Sequence, residues 1–463
     1  MSRRIFTIIT IVLIIGVVGF FGYNYFKNRG ASSGAGTTSS SSKNFFPFGG
    51  TTTTPPANTT DTPAPTSSVP VNTTDNGAPS KLHQITPGPV VGYTVVTKIR
   101  EKIGGVVASP AATVEVPPPA PAAPAKTTAA KSAKKTKTVV APVLLPNQEF
   151  ATAIRYIDQA SGNIFDAYAD TRTPKRLSNT TIPRLHDAVF AMDGGQVILR
   201  YIKDDNQTIE SFLGTVPAEV PDGADLNPFL GTFLPEGITD YSVSPDGKKF
   251  FFMTIENNQT VGETMDFATK LRKQIFTSSF TEWKSDWSTA TTITLTPRAT
   301  GLMPGFTYSL DATTGSFKKI FGGISGLTSL LSSDSSILAY SQSVPNDLRL
   351  MLYSTAQKEG SATGLHTTAS KCVFNKSGAN LYCGASDYLP NAIYPDAWYR
   401  GEMQMTDSIW KINTLLSTDN TLLENPLDDK GVAIDAVNLQ LDPSEKYLFF
   451  QNKRDGTLWE LEL

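Results

Sequence analysis

A strand–turn–strand unit recurs along most of the chain after residue 189. In each copy an apolar-alternating stretch leads into Asp, Asn, Ser or Gly, and a second apolar stretch follows at once. These turn residues tolerate the left-handed backbone conformations that tight hairpins need. The copies lie at residues 189–201, 241–253, 330–340, 372–383 and 439–450, with a divergent copy around Trp283 and Trp287. Such repetition predicts hairpins stacked in series around a shared core.

A third apolar stretch follows most copies, and a shorter fourth stretch follows some of them. Four short strands per unit, spaced about 40–65 residues apart, are typical of the blades of a β-propeller. No long amphipathic helical pattern interrupts the region, which disfavours an alternating strand–helix fold. Third strands are predicted at residues 163–169, 306–311, 408–413 and 457–463, and fourth strands at 175–178 and 317–321.

The number of blades depends on how the strands at the two ends of this region are assigned to blades. Residues 151–170 hold two strands without an adjacent first strand, and residues 89–98 can supply it. The low-complexity stretch at 101–147 is then an insertion within the first blade. Residues 81–86 resemble a fourth strand and can complete the last blade, which closes the ring and removes its open edges. The sequence predicts an all-β propeller over 81–463 with seven blades, and six remains the alternative.

The turn strings resemble those of TolB-like and WD-repeat-like β-propellers. Ser244-Pro245-Asp246-Gly247 before an apolar strand is the nearest match, and Asp442-Pro443-Ser444 is a degraded one. The Trp-Asp dipeptide and the preceding Gly-His of WD repeats do not occur, so the chain departs from that pattern. The resemblance covers roughly residues 81–463. It implies a propeller fold and a role in binding protein, peptide or envelope polymer on a propeller face.

The amino terminus is predicted to be a membrane anchor. Residues 5–22 carry no charge, and with the aromatic residues that follow, the apolar run reaches residue 26. At about 1.5 Å per residue this run spans a hydrocarbon core of roughly 30 Å. A cleaved signal peptide is the alternative. Signal peptides, however, have a shorter apolar core than this run, and small residues precede their cleavage site. We expect an anchor at 1–29, inserted into the lipid bilayer through residues 5–26.

The anchor is followed by a Ser/Thr/Pro-rich segment at 30–80, which is predicted to be a disordered stalk. Basic residues lie on both sides of the span: Arg3 and Arg4 precede it, and Lys27 and Arg29 follow it. By the positive-inside rule, this distribution slightly favours an amino terminus in the cytoplasm. The expected location is therefore the cell membrane, with a single pass and an extracytoplasmic propeller.

Composition narrows the classes of function. Forty basic and 42 acidic residues give a net charge of −2, so no basic field favours nucleic acid as a partner. Three histidines and two cysteines cannot build a multi-Cys/His zinc module, and the histidines have no metal-ligand spacing. Within the predicted propeller at 81–463, no phosphate-binding glycine loop and no G-x-S-x-G nucleophile motif occur. We expect no metal site and no cofactor.

Cys372 and Cys383 flank a predicted hairpin. Pairing Asn375 with Asn380 across its turn places the two cysteines directly opposite each other, at about 4.5–5.5 Å between Cβ atoms. A disulfide is possible in an oxidising compartment. Two buried free thiols are the alternative interpretation.

The segment at residues 388–407 is longer than a hairpin needs and lies between the second and third strands of the sixth blade. Aromatic residues and arginine are favoured at protein interfaces. The segment is therefore a candidate binding site, and the alternative is that it packs its aromatics over its own blade or plugs the channel. The candidate binding residues are Tyr394, Asp396, Trp398, Tyr399 and Arg400.

Together these features predict a membrane-anchored extracytoplasmic propeller that serves as a binding or scaffold module for an envelope protein, peptide or polymer. A propeller enzyme, a hydrolase or lyase with a site at the channel mouth, is the alternative. It would require acids or histidines from several blades to meet in space. The sequence favours the binding role because histidine and cysteine are scarce.

Overall fold

The computed structural model describes residues 81–102, 144–191 and 193–463. The predicted anchor, the stalk and most of the insertion in the first blade lie outside the described residues. Within the described ranges, no helix is long and apolar enough to cross a membrane.

The first four blades are antiparallel sheets of four strands, numbered here in chain order. In each blade the strands run in sequence from the innermost to the outermost position. Their bounds are β2 (Val90–Glu101), β3 (Gln148–Asp158), β4 (Ile164–Tyr168) and β5 (Pro174–Arg176) for blade one; β6 (Leu185–Phe190), β7 (Gln196–Ile202), β8 (Ile209–Thr215) and β9 (Leu230–Phe233) for blade two; β10 (Asp240–Val243), β11 (Lys249–Glu256), β12 (Gln259–Asp266) and β13 (Arg272–Ser278) for blade three; and β14 (Trp283–Asp286), β15 (Thr292–Pro297), β16 (Pro304–Asp311) and β17 (Phe317–Ser325) for blade four.

Three further sheets complete the ring, and two short helices lie between their strands. Blade seven takes its outermost strand, β1, from the other end of the described chain. The bounds are β18 (Ser329–Leu331), β19 (Ile337–Val344), β20 (Asp347–Ser354) and β21 (Glu359–Ala362) for blade five; β22 (Cys372–Phe374), β23 (Asn380–Ser386), α1 (Asp396–Tyr399), β24 (Asp407–Asn413) and β25 (Asn420–Glu424) for blade six; and α2 (Pro426–Lys430), β26 (Ala436–Leu441), β27 (Tyr447–Asn452), β28 (Leu458–Glu462) and β1 (Leu82–Gln84) for blade seven. A 3₁₀ turn, Ala369–Lys371, precedes β22.

The recurring Ser/Asp/Gly strings form the turns between the first and second strands of the blades. After β10 the Ser244 hydroxyl donates to the Asp246 carboxylate (2.7 Å), and Gly247 adopts the left-handed conformation with φ of 68°. Ser332 and Asp334 make the same bond at 2.6 Å after β18. Because each turn is held by its own side chains, a short local pattern suffices to specify it.

The hydrophobic core lies between neighbouring blades. Because side chains alternate between the two faces of each strand, the core is divided into separate interfaces. On β11, Phe250 and Phe252 pack against residues of blade two, while Phe251 and Met253 pack against Trp283 of blade four. Successive side chains of a strand point to opposite faces, so one four-residue apolar run fills two interfaces. All four side chains are fully buried.

Ring closure follows the predicted scheme, and the ring has seven blades rather than six. Strand β1 pairs with β28, with Leu82 opposite Leu461, and the Leu82 side chain is fully buried. Across the seam to blade one, the Tyr93 hydroxyl donates to the Phe449 carbonyl (2.9 Å) and the Gln451 amide to the Val90 carbonyl (2.8 Å). The predicted end of the first strand at residue 98 was too early, because pairing with β3 continues to Glu101.

A buried ion pair crosses the same seam. The fully buried Glu460 carboxylate on β28 lies 3.0 Å from Arg172 Nη2 of blade one. Burial raises the pKa of Glu460 to about 7, and Arg172 opposes the rise. The folded protein therefore holds a proton on this carboxyl at pH values where the unfolded chain, with a pKa near 4.5, has released it.

This pKa predicts that Glu460 makes the protein less stable as the pH rises from about 4.5 to 7, with little further change above that window. Replacing it with glutamine should flatten the pH dependence of the urea midpoint over this range. The matched control is Glu359→Gln, since Glu359 is exposed on β21 of blade five and does not contribute to the raised pKa of Glu460, and it should leave the slope as in the parent protein. Equal slopes in the parent and Glu460→Gln proteins would contradict the raised pKa.

Candidate functional site

One face of the ring carries a long covering segment, residues 387–406, which connects β23 to β24 and contains α1. We call it the cap segment, and the side of the ring on which it lies the capped face. The β15–β16 and β19–β20 connections join corresponding strands of their blades and lie on the same face. Trp398 and Tyr399 of the cap segment contribute to the wall of the central channel.

The structure places the five candidate residues in this one segment but gives them different surroundings. Tyr394 and Trp398 are buried, and the Tyr394 hydroxyl donates to the Pro390 carbonyl. Asp396 accepts a hydrogen bond from the Gly301 amide (2.8 Å) of blade four. The Asp396 bond fastens the cap segment to blade four, while the buried Tyr394 and Trp398 side chains do not form an exposed aromatic patch.

Tyr399 and Arg400 complete the set. The Arg298 guanidinium lies 5.4 Å from the centre of the Tyr399 ring, a cation–π contact between blade four and the cap segment. Arg400 is exposed and pairs with Glu402 at 2.6 Å. A ligand-binding role for the five residues as a set stays a prediction.

A buried charge cluster that no sequence pattern marks holds the cap segment from below. Lys371 Nζ lies 2.7 Å from Asp407 and 2.6 Å from Asp435, and all three side chains are fully buried. The Trp398 indole and the Met405 amide both donate to Asp435, at 2.9 and 3.1 Å. Burial raises the pKa of Asp407 to about 6, and Lys371 opposes the rise. The cluster joins blades six and seven and fixes the middle and the carboxyl-terminal end of the cap segment.

Beneath the cap segment the channel widens into a cavity of about 620 Å³. Its walls include the innermost strands of blades three to seven, the second strand of blade four (β15) and α1. Residues of differing chemistry face it, among them Asp240, Lys284, Asp286, Ser329, Asn438 and Trp398. The volume lies within the range of small-ligand sites, which are typically about 300–1,000 Å³.

A second depression, of about 540 Å³, lies on the capped face beside the cap segment. Leu302 of the β15–β16 connection and Ile393 of the cap segment line it, together with Pro345, Asn346 and Asn391. Leu302 is 71% and Ile393 46% exposed. We call this depression the apolar groove.

Groups suited to metal binding do not assemble in the part of the chain that the structure describes. No cluster of three or more His, Cys, Asp or Glu residues there has a geometry that holds a metal ion. His366 Nδ1 lies 2.6 Å from Asp347, a pair that joins blade five to the connection before blade six.

Cys372 and Cys383 form a disulfide between β22 and β23. They lie opposite each other in the strand register, and both are buried. Buried apolar residues surround them, including Leu350 and Ile412.

We expect alkylation of the denatured, unreduced protein to label neither cysteine, and prior reduction to expose two reactive thiols. Intact-mass spectrometry before and after reduction measures both states. Labelling of both cysteines without reductant would show two buried free thiols instead.

Comparison with known proteins adds similarities to solved structures. Neither the protein-family models nor the curated protein sequences gave a match. The chain is similar to TolB from Acinetobacter baumannii, with 13% identity over 66% of this chain and 61% of that one, and a TM-score of 0.38. An oligogalacturonate lyase from Vibrio parahaemolyticus matches at 10% identity over 67% and 86%, with a TM-score of 0.44. The β-propeller domain of a trilobed protease from Pyrococcus furiosus matches at 12% identity over 58% and 78%, with a TM-score of 0.38.

Proposed function

We propose that this chain is a single-span membrane protein that holds its propeller outside the cytoplasm and binds an extended segment of an envelope protein on the capped face. The observation that carries the binding role is the apolar groove. Leu302 and Ile393 come from blades four and six, yet they line one depression, and both side chains are exposed. Clustered exposed apolar side chains mark interaction surfaces more often than isolated ones do.

A peptide segment fits the chemistry of this groove. Its side chains require apolar contacts, which Leu302, Ile393 and Pro345 offer, while its backbone requires polar partners, which Asn346 and Asn391 offer. The cap segment borders both the groove, through Ile393, and the channel cavity, through Trp398, so a segment bound in the groove would lie beside the channel. The ring supplies a rigid frame, because its blades are joined by buried apolar clusters.

Photo-crosslinking in intact membranes tests the binding role. A photoreactive residue at position 302 or 393 is expected to capture a discrete envelope protein. Leu415 and Leu416 give matched controls: they are 83% and 63% exposed and lie at the opposite end of β24 from the cap segment. Capture that is equal from both faces would contradict a specific site on the capped face.

A substitution test separates binding from folding. With the photoreactive residue moved to position 345, which also lines the groove, Leu302→Asp combined with Ile393→Asp is expected to abolish capture of the partner. The melting temperature should be nearly unchanged, since both side chains are exposed. Leu415→Asp combined with Leu416→Asp should leave capture intact. Loss of the partner with both pairs would argue against the groove.

The membrane position rests on the uncharged run at residues 5–22 and its aromatic flank. We expect the full chain to stay in the membrane fraction after alkaline carbonate extraction and a chain lacking residues 1–29 to be soluble. Protease added to intact cells should reach the stalk at 30–80. Release of the full chain by carbonate, or protection of the stalk from external protease, would overturn this part of the proposal.

A further inference from the structure

An acidic side chain in the channel has no counter-ion. Asp286 ends β14, the innermost strand of blade four, and faces the cavity beneath the cap segment. Its carboxylate accepts a hydrogen bond from the Ser288 hydroxyl (2.6 Å), and no basic side chain of the described ranges pairs with it. Enclosure by the channel raises the pKa of this carboxyl. An enclosed carboxylate is stabilised most effectively by a cation brought to it.

The basic residues that also face the cavity have other partners. Lys284 Nζ lies 2.7 Å from Asp240, whose carboxylate also accepts from the Ser285 amide (2.6 Å). Lys453 donates to the Trp398 carbonyl (2.7 Å), and its ammonium lies 3.8 Å from the centre of the indole ring. Either lysine would have to abandon these contacts to reach Asp286.

The walls of the cavity suit a side chain with an apolar stem and a charged end. Leu330 and Val437 offer apolar surface to a stem, and the hydroxyls of Thr294 and Ser329 can accept hydrogen bonds from a cationic group. Because β14 begins at the capped face, Asp286 lies three residues, roughly 10 Å, below the mouth. Lysine and arginine combine a long aliphatic stem with a terminal cation.

We propose that the channel cavity binds a basic side chain of the ligand, with Asp286 as its counter-ion. This inference rests on the proposed function, since it names the chemistry by which a peptide bound on the capped face would enter the channel. Apolar side chains of the peptide then occupy the groove and a neighbouring basic side chain reaches into the channel.

Two blocked tripeptides test the inference on the full chain in detergent micelles. Acetyl-Gly-Lys-Gly-amide is expected to bind about tenfold more tightly than acetyl-Gly-norleucine-Gly-amide, because only lysine carries a charge for the enclosed carboxylate. Asp286→Asn should remove that difference, and Asp222→Asn, which changes a 95% exposed carboxylate, should keep it. Titration followed by ligand-observed NMR measures both affinities.

A photoreactive version of the lysine peptide keeps the test decisive if Asp286→Asn fails to fold. In the parent protein it is expected to label cavity residues such as Ser329 or Val437. Equal binding of the two tripeptides, equal lysine preference in Asp286→Asn, or labelling confined to the outer surface would each overturn the cation site. These results leave the groove proposal standing if positions 302 and 393 still capture a partner, so the two failures are distinguishable.

Discussion

Replacing Lys371 with methionine is expected to lower the free energy of unfolding by about 3–5 kcal/mol, because it leaves two buried carboxylates without their cation. Lys371 Nζ lies within 2.7 Å of both Asp407 and Asp435, and none of the three side chains reaches solvent. Methionine keeps the length and apolar stem of the side chain, so the loss reports the charge and not a cavity. Equilibrium unfolding in urea, monitored by tryptophan fluorescence, measures it.

Arg400→Met is the matched control, because it removes the cation of an exposed pair with Glu402. Exposed pairs contribute about 0–1 kcal/mol, so this variant should be close to the parent. The deficit of Lys371→Met should shrink as the pH is lowered from 7.5 towards 5, since protonation of Asp407, whose pKa is about 6, removes one uncompensated charge. Stability equal to that of the parent at pH 7.5 would contradict the role assigned to the cluster.

The same variant should loosen the cap segment. Asp435 accepts hydrogen bonds from Trp398 and Met405, and without Lys371 its unbalanced charge favours water over these partners. Limited proteolysis with chymotrypsin, which cleaves after aromatic residues and does not require Arg400, is therefore expected to cut within residues 387–406 faster in Lys371→Met than in Arg400→Met. Identical cleavage rates would show that packing alone holds the segment.

The blades could be predicted from sequence because their signals are local. The Ser244 and Asp246 side chains stabilise the turn in which they occur, so a four-residue string predicts a hairpin wherever it recurs. The pairing of Cys372 opposite Cys383 could be predicted in the same way, because the turn of the hairpin sets the register of its two strands. Closure was predictable by counting, since a third strand at the carboxyl terminus and an unassigned strand near residue 82 each lacked a partner.

The site could be predicted only in part because its contacts join distant parts of the chain. The length and residue types of the cap segment mark it as a candidate site. The burial of Trp398, however, depends on Asp435 of blade seven, which is distant in the sequence. Lys371 precedes a short strand and shows no pattern that marks it as buried. The groove is likewise formed by Leu302 and Ile393, which lie in separate blades. Such juxtapositions arise from ring geometry, which no local pattern encodes.

The second large effect is expected from removal of β1. A chain that begins at Pro87 should be less stable by at least about 3–5 kcal/mol than one that begins at Lys81, and it should associate at micromolar concentration. Loss of the fully buried Leu82 alone corresponds to about 2–5 kcal/mol. The unpaired edge of β28 then offers backbone donors and acceptors to another chain. Urea unfolding and size-exclusion chromatography of the two chains measure these effects.

Leu82→Asp in the otherwise intact propeller separates closure from simple shortening. Its buried side chain lies opposite Leu461, so a charge there should destabilise nearly as much as removal of the strand. Lys81→Asp, at the exposed residue before β1, is the control and should change little. A chain that begins at Asn147 lacks both β1 and β2, the closing strand and the innermost strand of blade one. If that chain were as soluble and stable as the one that begins at Lys81, the first strands would not close the ring.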